Sequence, residues 1–414
     1  MKNFEELEAL MHKRKWLDTL KPYLKQINKV PYNNHWLILM YNLFDMPGMH
    51  SDLFKAICQC RGTVVDTYTK KVVCGPFVKF FNYGEGPADA VDFANAWYTH
   101  KRDGWLFKVL KLKGKYYPFS NGTAVVRDSG APVTAMEING LKFKTVTDVF
   151  MYAIGATWDD NGYTIHFEDD ATSLAWDYVG DGDTVMFELE SPWNKVYTDL
   201  VRVPKAWLIG YRKANGDEVN VFQYPEDTLP LNHVYDHPEV YHFKSIEECL
   251  AALKTWSADK NGEGIVAMSI DKNGKFLRVK LKADDYLKIK YETDCLNIAD
   301  NRLMRLILNN EVDDILAAQP TLQPRVDAMK ALYAEIWPMA RHVCQRKDEI
   351  LSESGDRRAG YNKVKEAYGD FADTIMKWHT ANWIEKLKAK LAKSALAYDK
   401  VKSLHDQLDK ATKI

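Results

Sequence analysis

Lys101-Arg102-Asp103-Gly104 is the segment whose residue types and spacing best suit chemistry. A lysine two residues before Asp-Gly, on a turn between strand-like runs, presents an amine that could take up a nucleoside monophosphate. Such an amine acts as a nucleophile only when nearby positive charge or burial favours its neutral form. An exposed turn lysine is the alternative, and the tetrapeptide alone favours that alternative.

Cations that could bind the phosphate occur in a later strand-like run. Residues 276–282 alternate strictly, so Arg278, Lys280 and Lys282 fall on one face and apolar residues on the other. A strand backed by core would present these three cations to a phosphate. A solvated edge strand protected by lysines is the alternative.

Carboxylates follow a similar pattern. In residues 184–190, Glu188 and Glu190 share one face of a predicted strand, where they could line a nucleotide pocket or simply face water. Glu263-Gly264-Ile265-Val266 places a third carboxylate at the start of the next strand. Two further cations, Arg61 and Lys79, lie upstream of Lys101.

Short strands and a few helices must position these side chains. The predicted hairpins pair residues 63–66 with 71–74, 105–112 with 116–119, and 265–270 with 276–281. The predicted helices are 4–29, 145–155 and 244–258. This mixture predicts an α+β fold built of antiparallel sheets and helices.

The pattern changes after about residue 296. Apolar residues recur at helical spacing from Val326 to Ala340 and from Tyr361 to Phe371, and a last Lys-rich helix is predicted from Ile384. We therefore predict an α+β domain over residues 1–296 and an all-α domain over residues 297–414.

The bulk composition is that of an ordinary globular protein. Of the 414 residues, 27% are charged and the net charge is −1, so any nucleic-acid contact must come from local patches. The longest apolar run, Trp36 to Phe44, is too short to span a bilayer, and the N-terminus lacks the apolar core of a signal peptide. Six cysteines in such a chain form no disulfide scaffold, so we expect a cytoplasmic protein without a membrane partner.

Four motifs in this order resemble those of the lysine nucleotidyltransferase superfamily, which contains DNA ligases, RNA ligases and mRNA capping enzymes. The matching motifs are Lys101-x-Asp103-Gly104, Phe187-Glu188, Glu263-Gly264-Ile265-Val266 and Lys280-x-Lys282. The chain is most similar to the phage RNA ligase 1 family of single-strand RNA ligases. That similarity also includes Cys60-Arg61-Gly62, Lys79-Phe80-Phe81-Asn82, Tyr286 and Asn310-Glu311-Val312-Asp313-Asp314, so it covers nearly the whole chain.

The resemblance implies an adenylation (nucleotidyltransferase) domain that uses ATP. Lys101 would attack the ATP α-phosphate and hold AMP as a phosphoramidate. Tyr41, Arg61 and Lys79 would contact the nucleotide and its phosphates. One departure concerns Asn121, which stands where the family's type member has a functional lysine before a glycine. That departure puts one substrate-phosphate contact in doubt.

The resemblance also implies roles for the later motifs. Glu188 would contact the ribose or a metal-bound water, and Glu263 would support the metal. Lys280 and Lys282 would bind the α-phosphate as charge develops, and Tyr286 would be needed for ligation. Beyond the first domain, Asp313 matches a metal-binding carboxylate. The metal implied is Mg²⁺, with Mn²⁺ as an alternative.

The implied function is ATP-dependent joining of RNA 5′-phosphate and 3′-hydroxyl ends, through lysyl-AMP and an adenylated RNA end, in RNA or tRNA repair. We expect a monomer that acts on single-stranded RNA or nicked tRNA selected by the helical domain, in the infected host cell if the chain is phage-encoded. DNA ligases and mRNA guanylyltransferases carry an OB-fold after these motifs, whereas helices follow here. A non-catalytic RNA-binding protein with a decayed ligase domain is the other alternative, and the intact motifs argue against it. The sequence holds no P-loop for kinase activity.

Overall fold

The computed structural model describes residues 3–41, 51–133, 137–138, 140–193, 203–223, 229–257, 262–290, 298–309, 312–318, 320–376 and 398–413. These residues form two compact units, one ending at residue 290 and one beginning at residue 298. The predicted boundary after residue 296 falls between them. Within the described ranges, none of the helices combines the length and apolar surface that crossing a bilayer requires.

The first unit mixes strands and helices, which confirms the predicted α+β character. Its strands are β1 Leu24–Val30, β2 Asn33–Tyr41, β3 Arg61–Asp66, β4 Lys71–Cys74, β5 Phe81–Asn82, β6 Trp97–Lys101, β7 Trp105–Leu112, β8 Lys115–Ser120, β9 Glu137–Ile138, β10 Leu141–Lys142, β11 Ala156–Trp158, β12 Ile165–Phe167, β13 Thr184–Glu190, β14 Lys205–Arg212, β15 Glu218–Val219, β16 Val240–Tyr241, β17 Gly264–Ile270 and β18 Phe276–Lys282. Its helices are Glu5–Met11, Trp16–Leu20, Asp52–Cys58, Val146–Ala153, Asp170–Asp177, Leu231–Val234, Ile246–Lys254 and Asp284–Lys290.

The strands form three larger sheets and a small hairpin. The strand orders are β1-β2-β3-β4, β11-β12-β8-β7-β13-β14-β15 and β16-β6-β17-β18-β5, with β9 paired to β10. Neighbouring strands run antiparallel except for β5, which lies parallel to β18. The five-stranded sheet carries Lys101, Lys280 and Lys282, and the seven-stranded sheet carries Glu188. Tyr41 and Arg61 lie in the four-stranded sheet.

All three predicted hairpins form, as β3–β4, β7–β8 and β17–β18. The turn of the last hairpin shows why. The Asp271 side chain accepts hydrogen bonds from the backbone N–H groups of Asn273 and Lys275, 2.8 Å away in both cases. A carboxylate that bonds its own turn stabilises the reversal of the chain. The hairpin therefore fixes which residues of β17 and β18 lie opposite each other.

The predicted helix over residues 4–29 is wrong beyond residue 20. Pro22 lies in a short 3-10 turn, and its missing N–H cannot continue the helix. From Leu24 onward the backbone pairs antiparallel with β2, with Ile27 opposite Leu39. The sheet contacts outweigh the helical tendency of this charged segment.

The seven-stranded sheet packs one face against two helices, Val146–Ala153 and Asp170–Asp177, around buried aromatic residues. Phe107 of β7 stacks on Phe150 with ring centroids 4.1 Å apart. The opposite face of β7 and β13 is also apolar at its centre, where Leu106 and Met186 pack against Phe77. The strand that carries Glu188, β13, therefore has packed side chains on both faces.

The described regular elements of the second unit are helical. They are the α-helices Asp300–Asn309, Val312–Ala318, Gln323–Glu353, Arg357–Tyr368, Ala372–Ile375 and Tyr398–Ala411, with two short 3-10 turns. The predicted helical patterns at 326–340 and 361–371 lie in the third and fourth of these helices and in the short turn that follows. The predicted Lys-rich helix from Ile384 lies outside the described residues. The all-α character of residues 297–414 as a whole therefore stays a prediction.

Candidate active site

Lys101 lies where the chain passes from one sheet to another. It is the last residue of β6 in the five-stranded sheet, and Trp105 begins β7 in the seven-stranded sheet. Between them Gly104 passes so close to β13 that a Cβ would lie 2.5 Å from the Leu189 carbonyl oxygen. Only glycine fits at this approach, which explains the Gly of the tetrapeptide and brings Lys101 beside Glu188.

Glu263 connects Lys101 with Lys282. Lys101, Gly264 and Lys282 lie side by side on three neighbouring strands. Glu263 precedes Gly264, and its two carboxylate oxygens each lie 2.5 Å from one ammonium nitrogen, Oε2 from Lys101 and Oε1 from Lys282. Glu263 as a whole residue is only 3% exposed. Two predicted site residues from distant parts of the sequence are thus held together by a third.

Glu188 lies next to this pair on β13. Its residue surface is partly exposed, but protein atoms surround the carboxyl group closely. Burial raises its pKa to about 7, the charges of Glu263 and Asp103 add to that rise, and the positive charges of Lys101 and Arg61 oppose it. Glu188 therefore changes charge near neutral pH, in the part of the site where the amine lies.

Glu190, two residues further along β13, has a different environment. Its carboxylate accepts a hydrogen bond from the Trp207 indole at 2.7 Å and lies 3.6 Å from the Arg102 guanidinium. Arg102 in turn lies over the Trp207 ring, 3.9 Å from its centroid, and pairs with Glu239. Of the two carboxylates whose direction the sequence left open, Glu188 joins the Lys101 cluster, and Glu190 stabilises the Arg102–Trp207 contact.

Phe80 is in contact with two predicted phosphate-binding cations. The guanidinium carbon of Arg61 is 5.3 Å from the Phe80 ring centroid, and the Lys280 nitrogen is 5.4 Å from it. Lys280 and Lys282 share one face of β18, as the alternation predicts. The ring therefore contacts both cations, and an aromatic ring attracts a cation without neutralising its charge.

Arg278, the third predicted cation of β18, lies in a different contact. Its guanidinium pairs with Glu218 of β15, which also binds the buried Arg212 at 3.0 Å. Arg278 thus links the five-stranded sheet to the seven-stranded sheet. A phosphate contact for Arg278 therefore stays a prediction, since in this structure Arg278 pairs with a carboxylate of the neighbouring sheet.

The remaining predicted residues of the first unit form contacts between a lysine and an aromatic ring. The Lys79 nitrogen is 4.2 Å from the Phe81 ring centroid and 5.9 Å from the Tyr41 ring centroid. The Lys282 nitrogen is 5.7 Å from the ring centroid of Tyr286, which is fully buried. Tyr41 and Lys79 therefore contact each other, and Tyr286 supports Lys282.

Asp313 lies in the second unit, in the helix Val312–Ala318. Within the described ranges, no group of three or more His, Cys, Asp or Glu side chains is placed to hold a metal ion. The carboxylate of Glu263 is already engaged by two lysines. The metal roles predicted for Glu263 and Asp313 therefore stay predictions.

Lys108, which the sequence reasoning did not single out, lies beside the Arg61-Gly62 segment. It lies on β7 directly opposite Met186, on the face that carries Leu106, and it is fully buried. Its ammonium group donates a hydrogen bond of 2.5 Å to the carbonyl oxygen of Gly62, the neighbour of Arg61. The available signal was a lysine inside an otherwise apolar strand, Leu106-Phe107-Lys108-Val109-Leu110.

Asn121 lies against the same glycine. A Cβ at Gly62 would collide with the backbone carbonyl of Asn121, so the two segments are in close contact. The Oδ1 atom of Asn121 is buried and accepts no hydrogen bond from the described residues. The position at which the sequence lacks the expected lysine is therefore adjacent to the Arg61 segment.

Comparison with known proteins gives a consistent group of relatives. No family model matches the chain. The chain is 28% identical over 316 residues to an inferred bifunctional polynucleotide kinase/RNA ligase of Autographa californica nuclear polyhedrosis virus, over 72% of this chain and 40% of that protein. It is 36% identical over 109 residues to an inferred RNA ligase of Thermovibrio ammonificans, over 26% of this chain and 27% of that protein. The chain is similar to proteins named as RNA ligases. It spans less than half the length of either relative.

Solved structures of ligases are also similar, at a distant level. Naegleria gruberi RNA ligase with pyrophosphate matches with a TM-score of 0.33 and 14% identity, over 48% of this chain and 52% of that one. An inferred ATP-dependent DNA ligase from Aquifex aeolicus matches with a TM-score of 0.39 and 15% identity, over 73% of this chain and 72% of that one. At this level the likeness carries no conclusion about activity.

Proposed function

We propose that the chain is an ATP-dependent RNA ligase that forms a covalent AMP adduct on Lys101. The observation that carries the proposal is the pairing of Lys101 and Lys282 through Glu263, with Glu188 beside them. An amine next to a phosphate-binding cation is the arrangement that nucleotidyl transfer through an enzyme adduct requires. The sequence similarity to proteins named as RNA ligases supports RNA as the substrate.

In the first step, the Lys101 nitrogen attacks the α-phosphorus of ATP. A phosphorus–nitrogen bond forms, the bond between the α-phosphorus and the bridging oxygen breaks, and pyrophosphate leaves. Glu263 is in direct contact with the amine and is the group placed to receive its proton. Lys280 and Lys282 lie on the same strand face and stabilise the negative charge on the α-phosphate in the transition state.

The later steps use the same groups. AMP passes from Lys101 to an RNA 5′-phosphate, and a 3′-hydroxyl then attacks that phosphate and releases AMP. Each step is a displacement at phosphorus, so the protein mainly positions the reacting groups and stabilises charge. The resemblance to the phage RNA ligase 1 family supports this order and nucleotide contacts for Tyr41, Arg61 and Lys79.

Divalent metal enters this proposal with the substrate. Mg²⁺ is held largely by substrate phosphates in many nucleotide sites, so it would arrive as Mg²⁺–ATP. No step is assigned to a resident metal ion. Residues 297–414 would select the RNA, which in the phage RNA ligase 1 family is single-stranded RNA or a nicked tRNA. The chain would act as a monomer.

The proposal is tested with α-labelled ATP or GTP, followed by a denaturing gel. We expect label from ATP in the wild-type chain and none in Lys101→Ala, whereas Lys113→Ala, at an exposed turn lysine, should label normally. Ligation is then measured on 5′-phosphorylated RNA and DNA of one sequence. A preference for GTP would indicate a guanylyltransferase, and a preference for DNA over RNA substrates would indicate a DNA ligase. The absence of any label would indicate a non-catalytic protein.

A further inference from the structure

Lys108 has an unusual place for a lysine. It is 0% exposed and lies on the face of β7 that carries Leu106. Its ammonium group donates a hydrogen bond of 2.5 Å to the Gly62 carbonyl oxygen. Burial lowers its pKa to about 8, the nearby Cys74 opposes this shift, and the positive charge of Arg61 adds to it. Burying such a group is costly, and an apolar side chain of similar length would fill the same space at lower cost. The position therefore suggests a role for the hydrogen bond itself.

Gly62 is held from two sides. Its φ of +77° lies in the left-handed region, and a Cβ would collide with the Asn121 carbonyl, so no other residue fits easily. The Gly62 carbonyl oxygen accepts a hydrogen bond from the Lys108 ammonium group. The neighbouring residue is Arg61, whose guanidinium lies over the Phe80 ring that also contacts Lys280. The Lys108 contact therefore fixes the backbone from which the Arg61 side chain extends toward Phe80.

We propose that Lys108 is a positioning residue, which holds Arg61 through the Gly62 carbonyl and so sets the affinity of the site for the ATP triphosphate. This inference rests on the proposed adenylation of Lys101. The described hydrogen bond of Lys108 goes to Gly62 and not to Lys101 or Glu263. It acts on binding of the nucleotide and leaves the displacement at phosphorus to the groups around Lys101.

The test is the rate of AMP adduct formation at varied ATP concentration. In Lys108→Met, which keeps the length of the side chain and removes its donor, we expect KM for ATP to rise about tenfold with kcat nearly unchanged. Lys108→Gln keeps an N–H donor and should recover part of the affinity. Lys111→Met is the matched control on the same strand, because the Lys111 ammonium binds the carbonyls of Trp176 and Asp177 instead.

A double-mutant cycle separates positioning from general packing. If Lys108 acts through Arg61, the double variant Arg61→Ala, Lys108→Met should bind ATP no more weakly than Arg61→Ala alone. Additive losses, an unchanged KM in Lys108→Met, or equal losses in Lys111→Met would overturn the inference while the proposed function stands. If Lys108→Met does not fold, Lys108→Leu, which also lacks the donor, takes its place in the cycle. A rise in KM that disappears in the Arg61→Ala background supports the inference, and an unchanged KM or an additive loss rejects it. A wild-type chain that takes no label from ATP rejects the proposed function and this inference with it.

Discussion

Lys101 and Lys282 are held side by side by the two oxygens of a single carboxylate, Glu263, at 2.5 Å each. The amine proposed to react and a cation proposed to bind the phosphate therefore have a common anchor. A ligand phosphate that enters the site would compete with Glu263 for Lys282, since both are anions. Binding of the nucleotide and rearrangement of this pair are thus expected to be coupled.

Loss of the anchor's charge should impair adduct formation. Glu263→Gln leaves the shape of the side chain but removes the carboxylate that orients Lys101 and receives its proton, so we expect a fall of about 10²–10³ in the rate of AMP transfer. The measurement is single-turnover labelling with saturating ATP. Glu8→Gln is the control, because Glu8 forms a 2.9 Å ion pair with Lys71 elsewhere in the first unit. Equal losses in both variants would show a folding defect instead.

The cations of β18 should matter unequally. Lys280→Ala or Lys282→Ala removes a cation from the phosphate under attack, and we expect a loss of about 3 kcal/mol or more in transition-state stabilisation. Lys275→Ala, in the turn before β18, should have little effect on the labelling rate. Arg278→Ala should mainly lower the free energy of unfolding, because Arg278 pairs with Glu218 across two sheets. A rate loss in Lys275→Ala equal to the other two would contradict the assignment.

Glu188 should make stability depend on pH near neutrality. Burial raises its pKa to about 7 from an ordinary value of 4.5, so the folded state favours the protonated form. Its contribution to stability is fully present below pH 4.5 and is lost as the pH rises through about 7. Glu188→Gln removes this loss, so between pH 5 and 8 the free energy of unfolding should shift in favour of the variant by about 1–3 kcal/mol. Urea denaturation at both pH values measures it, with the exposed Glu247→Gln as control, and a pH-independent difference would reject the shifted pKa.

The helical part should govern RNA sealing more than adenylation. If residues 297–414 select RNA, a chain truncated after residue 296 should still take label from ATP but seal nicked tRNA poorly. The two reactions are measured on the same preparation. Undiminished sealing would reject the specificity role, and loss of labelling would show that the helices support the adenylation fold.

The sequence predicts those parts of the site that depend on local patterns. The face shared by Lys280 and Lys282 follows from a two-residue period, and the β17–β18 hairpin follows from its turn residues. These two features determine much of the site, because β17 carries the residue next to Glu263. The presence of Gly104 in the tetrapeptide is also visible in the sequence, although its reason, the approach to Leu189, is not.

The parts that sequence reasoning missed depend on contacts between distant residues. Lys108 binds a carbonyl 46 positions earlier, and Arg278 pairs with a carboxylate 60 positions earlier. No local period reports such contacts, so Arg278 resembled its neighbours on β18. The start of β1 was missed for a related reason, since its partner strand lies beyond a turn and outweighs the helical tendency of the charged residues before it.

The turn between β17 and β18 also limits how this protein can change by insertion. Gly264 lies opposite Lys282 only because the hairpin has its present length. If one residue were added to the turn and β18 slipped by one position, Leu281 would point at the site. Lys280 and Lys282 would then face the core. We therefore expect homologues to keep the register of β17 and β18, although the residue types in the turn can change freely. Inserted residues should occur only where they bulge out of the ladder and leave the pairing intact.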